Sequence, residues 1–155
     1  MDHARSLLRW YRKHGRTFPW RSGKLDPYVV LVSEIMLQQT QTSRVSEALP
    51  RFLRHFPTVF DLARAGNGEI IRQWQGMGYN SRALRLRDAA KAIVLEHDGV
   101  IPSSPEILLS LPGVGPYTSA AVACFAFNTR VVVLDVNVRR VYSRLVKRQK
   151  YTTDV

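Results

Sequence analysis

The sequence predicts an all-α protein, a multi-helix domain of short helices joined by tight turns. Three observations carry this prediction. Apolar residues recur at helical spacing through most of the 155 residues. Capping residues and Gly or Pro stops punctuate them at short intervals. Only Val131–Leu134 reads as a β-branched run. A chain of this length permits one domain, or one domain and a fragment of another.

The elements follow in order. Leu7, Leu8 and Tyr11 form the apolar stripe of a first helix ending near Gly15. Asp26-Pro27 supplies an N-cap and a proline at the first helical position, opening a helix from about Pro27 to Thr42. Arg44 to His55 makes the next, with Val45, Leu49, Phe52 and Leu53 inward and Pro50 as a kink. Thr58 and Asp61 have capping-box spacing before a short helix. Asn67 or Gly68 starts another, stopped by Gly76 and Gly78. Ser81 to His97 is a long amphipathic helix with Ala83, Leu86, Ala90, Ile93 and Val94 inside. Ser103 or Ser104 caps Pro105–Ser110, a glycine turn follows, and helices cover about Tyr117–Phe127 and Val136–Lys147. The last of these needs neighbours for its Val138, Val141 and Leu145 side, and the ending after TTDV reads as a truncation.

Composition narrows the function. Twenty-three Lys and Arg against twelve Asp and Glu give a net charge of +11, which attracts polyanions. Arginine outnumbers lysine, which suits fork-like phosphate contacts. The longest apolar runs, Tyr28–Val32 and Ala120–Phe127, are too short for a membrane span. The charged, amphipathic amino terminus lacks the apolar block of a secretory signal. An intracellular, DNA-associated location (cytoplasm or nucleoid) and no membrane partner are expected. The single cysteine, Cys124, allows no intrachain disulfide and no four-cysteine metal site, and in AAVACFAF it reads as a buried core residue.

Three stretches carry chemistry. In LPGVGPY, Gly113 and Gly115 permit a tight turn with positive φ, and the amides of Gly113, Val114 and Gly115 ahead of a helix N-terminus can converge on an anion. The same spacing also serves an ordinary helix–turn–helix corner. Glu34 is the only charged residue between Asp26 and Arg44. Buried, it would hold a proton near neutral pH and act as a general acid. Alternatively it lies on an exposed strip with Gln38 and Gln41, and the pair Gln38-Gln39 then probes bases. Asp135 follows four apolar residues and precedes a basic helix, so it serves as an N-cap or as a second isolated carboxylate. Two carboxylates in unlike environments are what glycosidic cleavage uses. His3, His14, His55 and His97 are scattered and expected to be exposed, and Walker, HExxH and GxSxG motifs are missing.

Taken in order, SEIMLQQT, WQGMGY, LPGVGPYTSAA and LDVNVRRV resemble the helix-hairpin-helix (HhH-GPD) DNA glycosylase superfamily. With FPWR and Tyr117 they are similar to its adenine DNA glycosylase (MutY-type) branch, from about Leu7 to Leu145. The resemblance implies a base-excision enzyme that flips and removes adenine mispaired with 8-oxoguanine or guanine. Glu34 then matches the acid that protonates adenine N7, and Asp135 the carboxylate that stabilises the sugar cation, with Asn137 beside it. Tyr117 stands where lyase-competent relatives carry lysine; a phenol forms no Schiff base, which implies monofunctional hydrolysis. Gln39 and Tyr79 match duplex wedges. Trp20 and Leu37 match the base pocket, and Arg16, Arg21 and Arg82 match positions at the pocket or the DNA.

The implied partner is double-stranded DNA with A:8-oxoguanine or A:G mispairs, bound by a monomer. The whole chain, residues 1–155, corresponds to the catalytic region, with the hairpin at about 105–127. The family's four cysteines for a [4Fe-4S] cluster, with the helices around it, and its 8-oxoguanine-reading domain fall outside the 155 residues. The metal ligands in this chain are therefore none, and a monovalent cation at the hairpin is the remaining cofactor expectation. Val136 stands where the family commonly has Gly. The piece alone is expected to be marginally stable and weakly active or inactive. Excision of thymine from G:T mismatches, and a catalytically silent DNA-binding fragment, are the alternatives.

Overall fold

Local capping chemistry starts several of the helices in the computed structural model, which describes residues 3–21 and 25–145. The order is α1 (His3–His14), a 3₁₀ turn (Pro19–Arg21), α2 (Pro27–Leu37), α3 (Thr42–His55), α4 (Val59–Arg64) and α5 (Asn67–Gln73). Then come α6 (Ser81–Glu96), α7 (Pro105–Ser110), α8 (Pro116–Phe127) and α9 (Val136–Leu145). Asp26 accepts the Tyr28 amide at 2.8 Å and Pro27 opens α2. Thr58 and Asp61 form a full reciprocal capping box on α4. Ser104, not Ser103, caps α7.

α2 is the centre of the molecule. Tyr28, Val30, Leu31, Val32, Ser33, Glu34, Ile35 and Met36 are all buried, so this helix is covered on every side. It packs against α8, α3, α6 and the 3₁₀ turn. Behind it, α4 lies along α6, and at the α3–α5 junction the Phe52 ring meets Phe56 at a tilt and Trp74 edge-on. Each such large side chain contributes about 1.5–3 kcal/mol when fully withdrawn from water.

Several boundaries differ from the sequence reading. α2 stops at Leu37 rather than Thr42, because Gln39 adopts a left-handed backbone with φ 55°. α3 starts at Thr42 and runs through Pro50, and α5 ends at Gln73, before the glycines. Val131–Leu134 forms no strand; it is an extended stretch with Val131 and Val133 half-buried and Val132 and Leu134 exposed. Leu7, Leu8 and Tyr11 do share α1, but they lie exposed, as do Val138, Val141 and Leu145 of α9. Lys147, Arg148 and Lys150 fall outside the described residues. Cys124 is half-buried, and His97 is half-buried while His55 pairs with Glu69 at 2.8 Å. Among the described residues, no helix is long and apolar enough to cross a membrane.

Candidate active site

Burial decides what Glu34 can do. On α2, covered on every side, its side chain has no water-facing strip to reach, and the residue is 2% exposed. The strip shared with Gln38 and Gln41 does not exist. Loss of hydration disfavours the carboxylate, so its pKa rises from 4.5 to about 7, opposed by the positive charge of Arg21. Glu34 thus holds a proton for part of the time at neutral pH.

Asp135 sits in the opposite environment. It is half-buried just ahead of α9, with Oδ1 accepting the Val138 amide at 2.6 Å and Oδ2 accepting Asn137 Nδ2 at 3.2 Å. Asn137 Oδ1 in turn accepts from Arg140 at 3.0 Å. Both sequence readings of Asp135 are therefore compatible: it caps a helix, and its carboxylate is oriented by that cap.

Tyr117 lies in the first turn of α8. Its phenol is pushed up first by burial, then by the negative charges of Glu34 and Asp135, while Arg21 acts the other way. Arg21 spans the rings of Phe18 and Phe125 at 5.7 and 5.3 Å, and Arg16 lies over Phe18 at 5.2 Å. Phe18 stacks on Trp20 at 4.9 Å. Trp20 is buried, and its Nε1 is a donor without a partner among the described residues. Leu37 is half-buried against the core.

The hairpin between α7 and α8 splits the work of its glycines. Gly113 has φ +79°, and an added Cβ would come within 2.9 Å of Arg85 Cβ. Gly115 is extended at φ −92°, not left-handed as the sequence implied, and the space beside its Cα is open. The Val114 side chain is buried, and its amide is spent on Leu111 at 3.1 Å. Among the described residues, the Gly113 and Gly115 amides have no such partner. Two free amides therefore remain of the three, at Gly113, Val114 and Gly115, that the sequence offered to an anion.

Two turns flank this site. Gln39 and Tyr79 are exposed and left-handed, at φ 55° and 48°. Gln38, offered from sequence as a base probe, instead points inward, donating from Nε2 to the Gly113 carbonyl and Thr118 Oγ1, both at 3.2 Å. Arg82, expected at the pocket or DNA, is 8% exposed. Its Nη1 donates to the carbonyls of Ile35 (3.1 Å), Met36 (3.0 Å) and Gln38. Its Nη2 donates to Thr40 Oγ1 (2.9 Å) and the carbonyls of Met77 (3.0 Å) and Gly78 (3.1 Å). The rings of Trp74 and Tyr79 lie 5.5 and 5.6 Å from the guanidinium carbon. Sequence reasoning missed both inward roles, since both Gln38 partners and four of the six Arg82 acceptors lie far along the chain.

Metal chemistry finds little here. The chain's one cysteine cannot hold a cluster, and no group of three His, Cys, Asp or Glu side chains is placed to bind a metal among the described residues. The Leu111 and Gly113 carbonyls of the hairpin accept from the Val114 amide and from Gln38 Nε2.

An all-helical fold carrying a glycine hairpin beside two unlike carboxylates defines the class of protein. The chain belongs to the HhH-GPD superfamily of base excision DNA repair proteins, whose family model matches residues 32–154. It is 47% identical over 141 residues to the adenine DNA glycosylase of Mycobacterium tuberculosis, covering 91% of this chain and 46% of that one. It is 42% identical over 148 residues to the Homo sapiens adenine DNA glycosylase, covering 90% and 27%. The chain thus spans less than half the length of either relative. A thermostable thymine-DNA glycosylase structure superposes with a TM-score of 0.85 at 33% identity, covering 90% of this chain and 64% of that one.

Proposed function

We propose that this chain carries the catalytic residues of a monofunctional adenine DNA glycosylase acting on adenine mispaired with 8-oxoguanine or guanine. The observation that carries the reading is the contrast between Glu34, buried and raised to about 7, and Asp135, oriented by hydrogen bonds beside the same tyrosine. Glu34 gives its proton to N7 of the flipped adenine. The bond from N9 to the sugar then breaks, and its electron pair leaves with the base. Asp135, held by Asn137, opposes the positive charge that develops on the sugar. Water adds its oxygen to C1′ and releases a proton. Tyr117 offers no amine, so the reaction ends at hydrolysis.

Around that centre, Trp20 and Leu37 wall the base pocket; Trp20 Nε1 is buried and has no partner among the described residues. The Gly113 and Gly115 amides hold a phosphate, and Arg16 and Arg21 add positive charge. Gln39 and Tyr79 enter the duplex and offset the cost of unstacking. DNA is the partner, bound by one copy of the protein, and residues 1–155 act as the catalytic region.

A second reading rests on the likeness to the thymine-DNA glycosylase: removal of thymine from G:T pairs. Single-turnover base release from A:8-oxoguanine, A:G and T:G duplexes separates the two. Glu34-dependent release of adenine supports the first reading. Release of thymine alone supports the second. Duplex binding with no release of either base leaves a silent DNA-binding fragment and overturns both.

A further inference from the structure

Arg82 is a cation withdrawn from water whose recorded partners are all neutral oxygens and two aromatic faces. A buried guanidinium needs partners for its donors; Nη1 and Nη2 have them, while Nε has none among the described residues, so the two terminal nitrogens and the backbone they hold carry the arrangement. The oxygens belong to two separate segments. One is the carboxyl end of α2 through Thr40, where the last carbonyls lack helical partners and the helix dipole favours a cation. The other is the turn at Met77 and Gly78. Each segment leads directly into a non-glycine residue with positive φ, Gln39 in one and Tyr79 in the other. Such conformations cost free energy and persist where surrounding contacts impose them.

We propose that Arg82 is a positioning residue: from inside the protein its guanidinium fastens the turn at 38–40 to the turn at 77–79, and so presents Gln39 and Tyr79 as a matched pair to one duplex. Arg82 does not touch the DNA. Lysine cannot replace it, having three donors at one point and no planar face to lie between Trp74 and Tyr79. The role toward DNA rests on the glycosylase reading; the fastening of the two turns does not.

The test separates these. In Arg82→Lys, amide hydrogen exchange in the DNA-free chain should accelerate about tenfold or more in both turns together, while α4 and the middle of α6 stay protected. Acceleration in one turn only, or everywhere, overturns the fastening. Should Arg82→Lys fail to fold, Thr40→Val removes one Nη2 acceptor and should loosen both turns together to a smaller degree; loosening of 38–40 alone overturns the proposal. For DNA, Arg82→Lys should lose preference for an A:8-oxoguanine duplex over an undamaged one, with undamaged-duplex binding and its salt dependence unchanged. Added to Gln39→Ala and Tyr79→Ala, it should cost less than about twofold more. A salt slope reduced by about one, or additive losses, would mark a direct phosphate contact and overturn the proposal. If the wild-type chain shows no preference between duplexes, the glycosylase reading fails, and the exchange data alone decide the role of Arg82.

Discussion

Glu34 and Asp135 are the same chemistry placed in opposite surroundings. The first sits in the middle of α2, packed on all sides, and is strained electrostatically by its burial. The second sits at the start of α9, a helix whose apolar residues are exposed, and is satisfied by local hydrogen bonds. The contrast teaches that one carboxyl is set by the packing of a whole helix, and the other by capping geometry that needs only a few residues.

The comparison breaks most visibly at Glu34. Glu34→Gln should lower single-turnover adenine release by about 10³-fold, within the range for losing a general acid. Duplex affinity should stay within about twofold. Asp135→Asn should cost about 10²-fold in release, because the electrostatic stabilisation goes while the amide can still cap α9. Its thermal stability should scarcely change. Equal and small effects at both positions would dissolve the division of labour.

Stability sharpens the same contrast through pH. The folded pKa of Glu34, about 7, lies above its ordinary value of 4.5, so the folded state binds the proton more tightly. The associated stability is fully present below about pH 4.5 and is lost as pH rises through about 7. The full difference is about 3 kcal/mol. Glu34→Gln, which never ionises, should therefore be more stable than wild type at pH 8.5, with the advantage shrinking towards pH 4.5. Denaturant titrations at the two pH values check this, and an identical difference at both would contradict it. Improved stability with lost activity is the trade expected of a functional site.

The hairpin offers the smallest and finest contrast. Gly113→Ala places a Cβ against Arg85 at a left-handed position and should destabilise by about 1–2 kcal/mol. Gly115→Ala enters open space and should leave stability within about 0.5 kcal/mol while weakening duplex binding. Equal stability losses would mean the two glycines serve one purpose.

Much of this was legible in the sequence, and the reasons are physical. Helices are local objects, so Asp26-Pro27, the Thr58–Asp61 box and Ser104 located their starts. Glu34 remained open because helical spacing allows both a buried and an exposed face; only the packing of α8, α3 and α6 around α2 resolves it. Gln38 and Arg82 were misplaced for the same reason from the other side. Polar residues beside a motif read as ligand contacts, whereas their partners lie 75 and 44 positions away, at Gly113 and Gln38. Gly115 read as left-handed because glycine permits that conformation, but permission does not establish use. α2 ended early at the left-handed Gln39, beside carbonyls that Arg82 takes from a distant part of the chain, and local periodicity shows neither.

The most direct measurement is a carbon-13 NMR titration of the Glu34 carboxyl, assigned by comparison with Glu34→Gln, alongside the pH profile of adenine release. The predicted midpoint is near 7, with release falling as pH rises through that value. A midpoint near 4.5 would show an ordinary solvated carboxylate and contradict the claim that the packing of α2 sets this carboxyl.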